Sequence, residues 1–223
     1  MMETSFEIRK STTDDQAALI DLFARAGEGS PTASLWGDPA SEADVYLFPY
    51  TDHPTAVLLV AESGADLVGY LAGCLDSAAF PKEADRIDRA MRRHHLWRNR
   101  SAVSFFARAT LDMAVASLRR DPVAGDFTDP RWPAHLHINV VPAWRGRGVA
   151  DALMRAWLSQ LEEAGAPGCY LQTLVENERA MRFFRRYGFV TIGQPAAVAG
   201  LRYRGGKVHQ VTMVRPASAD GVA

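Results

Sequence analysis

The stretch "RGRGVA", from Arg145 to Ala150, combines residue types and a spacing that suit the binding of an anion. It lies between an apolar stretch that predicts a strand and a segment with helical periodicity. Glycines at such a junction permit backbone conformations that are closed to other residues. Exposed amides at the start of a helix attract anions. The stretch therefore predicts a phosphate-binding turn, and the rest of the chain has to indicate which molecule carries the phosphate.

Several common classes of protein do not fit this turn or this composition. No Gly-Lys-Ser/Thr follows it, which excludes a nucleoside-triphosphate loop, and Asp151 stands where a dinucleotide motif needs its third glycine. The formal net charge of -1 gives no overall basic field for nucleic acid. No apolar run approaches the roughly 18 residues of a membrane span. The histidines have no accompanying carboxylates or cysteines that would make a metal site.

The two cysteines and the N-terminal segment indicate the compartment. Cys74 and Cys169 lie far apart in apolar, strand-like runs, so we expect two buried free thiols rather than a disulfide. The first ten residues contain no apolar signal region. Free thiols suit a reducing environment, and the sequence predicts a cytoplasmic protein.

The order of predicted elements indicates an α/β or α+β class with a mixed sheet. Residues 56–75 read as a β-hairpin, residues 134–141 alternate between polar and apolar positions, and helical stripes follow Thr13 and Gly148. Residues 80–120 turn helical and predict an insertion. The last strands are predicted at 189–193 and 207–216. The chain length favours a single domain over residues 1–216, with a disordered tail at 217–223.

The order strand, "VPAWRGRGVA", helix, strand, "NERAMRFFRRYGF" resembles the GNAT family of N-acetyltransferases. The anion loop of that family follows the pattern Q/R-x-x-G-x-G/A, and Arg145, Gly148 and Ala150 fill it. The resemblance implies a mixed, mostly antiparallel central sheet flanked by helices. It also implies acetyl-CoA as the cosubstrate, with its pyrophosphate in the loop, no metal, and transfer of the acetyl group to a primary amine.

A finer resemblance covers most of residues 40–215. This part is similar to the acetyltransferase-like domain of the O-GlcNAc hydrolase family and to its free-standing bacterial relatives. Some members of that group are thought to have lost catalysis. The alternative function is therefore a catalytically impaired domain that binds acyl-CoA or a protein partner.

The resemblance also implies which residues hold the cofactor. One strand would pair its backbone with the pantetheine arm, the loop and helix start would hold the phosphates, and two residues would meet the arm from the following segment. Asn177 has an alternative interpretation as a helix N-cap. The cofactor-binding set is Ile138, Asn139, Val140, Arg145, Gly146, Arg147, Gly148, Val149, Ala150, Asp151, Asn177 and Phe184.

The catalytic pattern departs from the family at two positions. The tyrosine that protonates the leaving thiolate is replaced by Phe184, and Tyr187, one helical turn on, is the candidate acid, or else a core aromatic. A glutamate that often serves as the base is replaced by Gln172. His137 is the candidate base, or else a histidine bonded across the sheet, and Glu176 is either a base or a solvated side chain.

The acetyl acceptor and the assembly stay open at the level of sequence. The acceptor is either a small molecule or a protein lysine or N-terminus. We expect the insertion at 80–120 to wall the acceptor cleft, although it could form a dimer contact instead, so the protein is a monomer or a homodimer. The basic segment at 86–100, "RIDRAMRRHHLWRNR", is interpreted as a solvated face or a lid rather than a nucleic-acid site, and no membrane partner is expected.

Overall fold

Seven strands form one sheet in the computed structural model, which describes residues 5–31 and 35–217. The strands are β1 (Glu7–Lys10), β2 (Ala56–Ser63), β3 (Asp66–Cys74), β4 (Ala134–Val140), β5 (Gly168–Leu174), β6 (Val190–Tyr203) and β7 (Gly206–Pro216). The α-helices are α1 (Gln16–Gly27), α2 (Pro39–Tyr46), α3 (Pro49–Asp52), α4 (Glu83–Arg93), α5 (Arg100–Arg119), α6 (Val149–Glu163) and α7 (Glu178–Arg186).

The order of the strands is β1-β2-β3-β4-β5-β7-β6. All neighbouring strands pair antiparallel except β4 and β5, which run parallel. The parallel pair needs a long crossover, and α6 supplies it. The predicted mixed, mostly antiparallel sheet with flanking helices is thereby confirmed.

Helices α1 and α6 cover opposite faces of the sheet. They contact residues three positions apart on β3, and successive side chains of a strand point to opposite sides. On one face the ring of Tyr70 stacks on Phe23 of α1, with 6.4 Å between ring centres. On the other face Trp157 of α6 lies over Gly73 so closely that a Cβ there would come within 2.4 Å of the indole. Gly73 therefore lets α6 approach the sheet, and α6 carries the loop that precedes it.

The predicted helical insertion is confirmed, and it forms a small separate core together with the segment before β2. The buried residues of this core are Trp36, Val45, Ala90, Leu96 and Ala102. Phe105 and Phe106 of α5 pack on the Trp36 ring with centre distances of 5.8 and 5.4 Å. These two phenylalanines therefore belong to the packing of the insertion rather than to a free surface.

Of the two strands predicted near the C-terminus, the one at 207–216 agrees with β7 to within one residue, whereas the one at 189–193 is too short. The structure extends β6 from Val190 to Tyr203, whereas only a strand at 189–193 is predicted there. The pairing of β6 with β7 is interrupted twice, between Ile192 and Ala196 and between Ala197 and Arg202. Such irregularities break the alternation by which a strand is found in a sequence.

Two predictions concern the ends and the environment of the chain. The predicted disordered tail at 217–223 lies, apart from Ala217, outside the described residues. Within the described parts of the chain, no helix combines the length and apolar character needed to cross a bilayer.

Candidate active site

The parallel strands β4 and β5 separate almost as soon as they meet. Only two residue pairs are in register, Ala134 with Cys169 and His135 with Tyr170. Beyond them the facing backbone groups of the two strands have no partner strand. Buried N–H and C=O groups need a hydrogen-bond partner, so the opening is suited to an extended ligand with amide groups.

The loop after β4 turns through two glycines with left-handed backbone conformations. Gly146 has φ of 79° and Gly148 has φ of 86°, and Gly148 is the N-cap of α6. A Cβ at either glycine would meet no atom within 4 Å, so conformation rather than crowding calls for glycine there. The first N–H groups of α6 have no acceptor within the helix and lie beside this loop.

Arg145 fixes the loop to its neighbours. Its Nε donates to the Val140 carbonyl oxygen at 3.0 Å, and one Nη donates to the carbonyl oxygens of Ala26 and Glu28 at 3.0 and 3.1 Å. Burial lowers the pKa of the Arg145 guanidinium. Arg147 differs, because it is exposed and lies 5.4 Å from the Trp144 ring centre. Arg145 therefore holds the loop in shape, with its guanidinium already engaged by three backbone carbonyl groups.

A cavity of about 450 Å³ opens at the loop and the separated strands. It is lined by ten of the twelve residues predicted to hold the cofactor: Ile138, Asn139, Val140, Arg145, Gly146, Gly148, Ala150, Asp151, Asn177 and Phe184. Arg147 and Val149 do not line it, since Arg147 is exposed to solvent and Val149, the first residue of α6, is fully buried.

Three arginines of α7 that were not predicted as site residues from the sequence also line this cavity. They are Arg179, Arg182 and Arg186. Their spacing of three and then four residues places them on one face of the helix, and this periodicity was the signal that could have found them. Asp151 lies opposite and pairs with Arg186 at 3.6 Å. The charge at the cavity is predominantly positive, which suits a phosphate-bearing ligand.

Asn177 caps α7 and also lines the same cavity. Its side-chain oxygen accepts from the Ala180 N–H at 3.2 Å, which confirms the N-cap of α7. The same residue lines the 450 Å³ cavity. Its contact with a cofactor arm stays a prediction.

The two aromatic candidates on α7 differ in what they face. Phe184 is 6% exposed, packs on Phe189 and lines the cavity. The Tyr187 hydroxyl donates to Oδ1 of Asp151 at 2.9 Å, and its ring packs on Phe183. Burial and the Asp151 carboxylate raise the pKa of Tyr187. The Tyr187 hydroxyl is therefore already engaged at the start of α6, and its role as the acid stays a prediction.

His137 faces a second cavity, of about 240 Å³, on the other side of the strand opening. Its side chain makes no hydrogen bond to any residue that the structure describes. Burial and the positive charge of Arg86 lower the pKa of His137 to about 4, so the imidazole is neutral at physiological pH. His135 beside it is engaged, with its ring nitrogens 2.9 Å from the Tyr50 hydroxyl and 2.6 Å from the Ser77 hydroxyl.

The other polar candidates have partners. Gln172 donates to the Gly125 carbonyl oxygen at 2.9 Å, and Glu176 accepts from the backbone N–H of His209 at 3.1 Å. Within the described ranges, no group of three or more His, Cys, Asp or Glu residues could hold a metal ion. The arrangement thus brings one unbonded imidazole to the opening between β4 and β5.

Comparison with known proteins decides the family. A sequence model of the acetyltransferase (GNAT) family matches residues 17–189, which is most of the chain. The chain belongs to the GNAT family. It is also similar to N-alpha-acetyltransferase 30 of Schizosaccharomyces pombe, with 42% identity over 50 residues. That match spans 22% of this chain and only a third of the length of the curated relative.

Solved structures support the GNAT fold. The crystal structure of SsHAT is 24% identical, covers 96% of this chain and 99% of its own, and has a TM-score of 0.59. The structure of yncA from Salmonella typhimurium with its cofactor acetyl-CoA is 14% identical, covers 98% and 97%, and has a TM-score of 0.56. At these identities the likeness shows the fold alone.

Membership in the GNAT family makes acetyl-CoA the cosubstrate. The residues present fit that molecule on three counts. The N-terminus of α6 and the arginines of α7 suit its phosphates, and the unpaired edge of β4 suits its amide-bearing arm. The 450 Å³ cavity joins these features in one continuous space.

Proposed function

We propose that this GNAT protein is an acetyl-CoA-dependent N-acetyltransferase that acts on a primary amine. The observation that carries the proposal is the separation of β4 from β5 at a cavity lined by the glycine loop and the start of α6. One opening thus gives access to the phosphate-binding features and to the neutral His137.

Acetyl-CoA supplies the acetyl group as a thioester, whose C–S bond breaks as the new C–N bond to the amine forms. The attacking amine has to lose a proton, and the unbonded imidazole of His137 is positioned to take it. The α6 N-terminus and the α7 arginines anchor the phosphates, so the thioester is held close to the amine.

The departing thiolate gains its proton without a tyrosine at position 184. Phe184 has no hydroxyl, and a thiolate whose conjugate acid has a pKa near 8.5 is a tolerable leaving group in water. Water can therefore serve as the proton donor. The alternative of a CoA-binding domain without catalysis is less well supported, because the family match favours an acetyltransferase.

Three finer proposals accompany this one. The two free and buried thiols of Cys74 and Cys169 support a reducing location, the cytoplasm. The resemblance to the acetyltransferase-like domain of the O-GlcNAc hydrolase family stays a prediction. So does the choice between monomer and homodimer.

The test is an amine panel incubated with acetyl-CoA. It contains free amino acids, small amines, lysine-containing peptides and peptides with free N-termini. We expect amine-dependent release of the CoA thiol and an acetylated product with the corresponding gain in mass. His137→Gln removes the base. General base help contributes about 10²–10⁴-fold, and because a pKa of about 4 makes His137 a weak base, kcat should fall by about 10²-fold, the lower end of that range.

His209→Gln is the matched control, because His209 is half exposed on β7 and lines neither cavity. It should leave kcat at the wild-type value. Acetyl-CoA binding without product from any amine would contradict the proposed activity and favour the non-catalytic alternative.

A further inference from the structure

The 240 Å³ cavity beside His137 contains an arginine in an unusual environment. Helices α2, α3 and α4 wall the cavity, together with β4, β5 and the segment before β4. Arg86 of α4 lines it although the residue is only 9% exposed. Arginine is almost never this deeply buried unless it is paired.

The Arg86 guanidinium has one protein acceptor and no counter-ion. One Nη donates to the Val45 carbonyl oxygen, and the buried Nε has no hydrogen-bond partner. No carboxylate among the described residues lies within 4.0 Å of it, so it forms no ion pair there. The Phe80 ring lies beside the guanidinium, with 5.3 Å from Arg86 Cζ to the ring centre. Burial of an unpaired charge is costly, which calls for an anion supplied from outside.

The acidic side chains of the cavity do not fill this need. Glu83 accepts from the Tyr46 hydroxyl at 2.6 Å, and Asp126 is exposed at the rim. Lys82 is also exposed at the rim. The cavity thus offers a buried cation, Arg86, near the neutral His137, whose pKa the Arg86 charge helps to lower.

The size of the cavity limits the ligand. Sites for drug-sized molecules begin at about 300 Å³. A cavity of about 240 Å³ therefore suits a smaller molecule.

We infer that the acetyl acceptor is a small amino-acid-like molecule, whose carboxylate binds Arg86 while its primary amine lies towards His137. The inference rests on the proposed N-acetyltransferase function. A carboxylate is the planar partner that a guanidinium binds best, through two parallel hydrogen bonds. It would give the Arg86 guanidinium a counter-ion and leave the amine at the opening between β4 and β5.

The experiment compares acceptors that differ only in the carboxylate. Each free amino acid of the panel is matched with its carboxamide and with the amine that lacks the carboxyl group, for example phenylalanine, phenylalaninamide and phenethylamine. Charge-assisted hydrogen bonds of this kind are worth about tenfold to a hundredfold in affinity. We expect KM for the best amino acid to be lower than KM for its amide by about that factor, with a smaller difference in kcat.

Arg86→Met keeps the length of the side chain and removes its charge, so it should abolish the preference for the acid over the amide. Arg89→Met is the matched control, because Arg89 is exposed one turn further along α4 and lines neither cavity. It should keep the preference. Should Arg86→Met fail to fold, the wild-type comparison of acid and amide still decides.

Equal KM values for acid and amide would overturn the inference, as would acetylation restricted to peptides. The proposed function would survive both results, since amines would still be acetylated. A different result would separate the two proposals. In it, the free amino acid raises the melting temperature of wild type but not of Arg86→Met, and no acetylated product forms. It would support the anion site and contradict the proposed function.

Discussion

Phe184 lines the larger cavity, and the family resemblance predicts that the tyrosine that protonates the leaving thiolate would stand at this position. The cavity already accommodates an aromatic ring there, with Phe183 and Phe189 packed around it. Phe184→Tyr therefore adds one oxygen without a change of packing. A well-placed general acid contributes about 10²–10⁴-fold, so we expect turnover of an accepted amine to rise by at least about tenfold.

Tyr187→Phe tests the rival assignment in the same assay. It removes the hydrogen bond to Asp151 and keeps the ring, so it should cost about 1 kcal/mol of stability with little loss of turnover. A large loss of turnover in Tyr187→Phe, together with no gain in Phe184→Tyr, would show that the acid lies one helical turn further along.

The buried imidazole of His137 makes stability depend on pH. Its pKa is about 4 in the folded protein against an ordinary value of 6.5. Between these values the unfolded chain binds a proton that the folded chain does not, so the free energy of unfolding should rise with pH from about 4 to about 6.5 and then level off. Urea unfolding at several pH values measures this slope.

His137→Gln should reduce that slope without abolishing it, because burial also lowers the pKa of His135. An unchanged slope in the variant would contradict a neutral, buried His137. The result bears on mechanism, since only a neutral imidazole can accept a proton from the amine.

At the scale of the residue, ten of the twelve positions predicted for the cofactor line one cavity, and their contact with acetyl-CoA stays a prediction. The glycine loop has a local signal, and Gly146 and Gly148 need only their own backbone angles. The engagement of Tyr187 with Asp151 joins residues 36 positions apart, and no local pattern encodes it. The isolation of Arg86 likewise depends on helices that meet only in the folded chain.

Helix α7 is the element that adds most to the predicted site. Its arginines at 179, 182 and 186 share the face that lines the cavity, whereas Arg185 is exposed and does not line it. Arg179→Gln combined with Arg182→Gln should weaken acetyl-CoA binding by about tenfold, and by more at low salt, because unscreened charges attract phosphates more strongly.

Arg185→Gln serves as the control on the same helix and should leave the dissociation constant unchanged. Titration calorimetry at two salt concentrations measures all three proteins. Equal weakening by Arg185→Gln would indicate a general charge effect rather than a defined face of α7.

At the scale of elements, the helices and the hairpin followed their periodic patterns, whereas β6 did not. The β2–β3 hairpin has long apolar runs, one register shift close to its turn, between Ala61 and Glu62, and a two-residue turn at Gly64 and Ala65. Strand β6 carries two register shifts, and its pairing with β7 rather than its own pattern defines it. Prediction from one sequence therefore succeeds where the signal is local and fails where pairing decides.

The molecule as a whole places two cavities on either side of one strand. Consecutive residues of β4 divide them, because His137 lines the smaller cavity and Ile138 the larger. The crossover helix α6 and the separation of β4 from β5 create the larger cavity, and the helical insertion walls the smaller one. The predicted role of the insertion as a wall of the acceptor cleft agrees with this placement and stays a proposal.

Binding of the acetyl-CoA phosphates at the loop before α6 is tested most directly by the effect of acetyl-CoA on the melting temperature of three proteins. These are wild type, Gly148→Glu and Gly165→Glu. Both glycines have positive φ and open space around a Cβ, but Gly148 begins α6 at the anion loop and Gly165 follows its far end. The two substitutions thus share the backbone strain, and only Gly148→Glu places a negative charge at the phosphates.

A ligand at about one hundred times its dissociation constant stabilises the folded state by roughly 2.7 kcal/mol, which raises the melting temperature by several degrees. We predict this rise for wild type and for Gly165→Glu, and no rise for Gly148→Glu. An equal rise in Gly148→Glu would contradict the account, because the phosphates would then bind elsewhere.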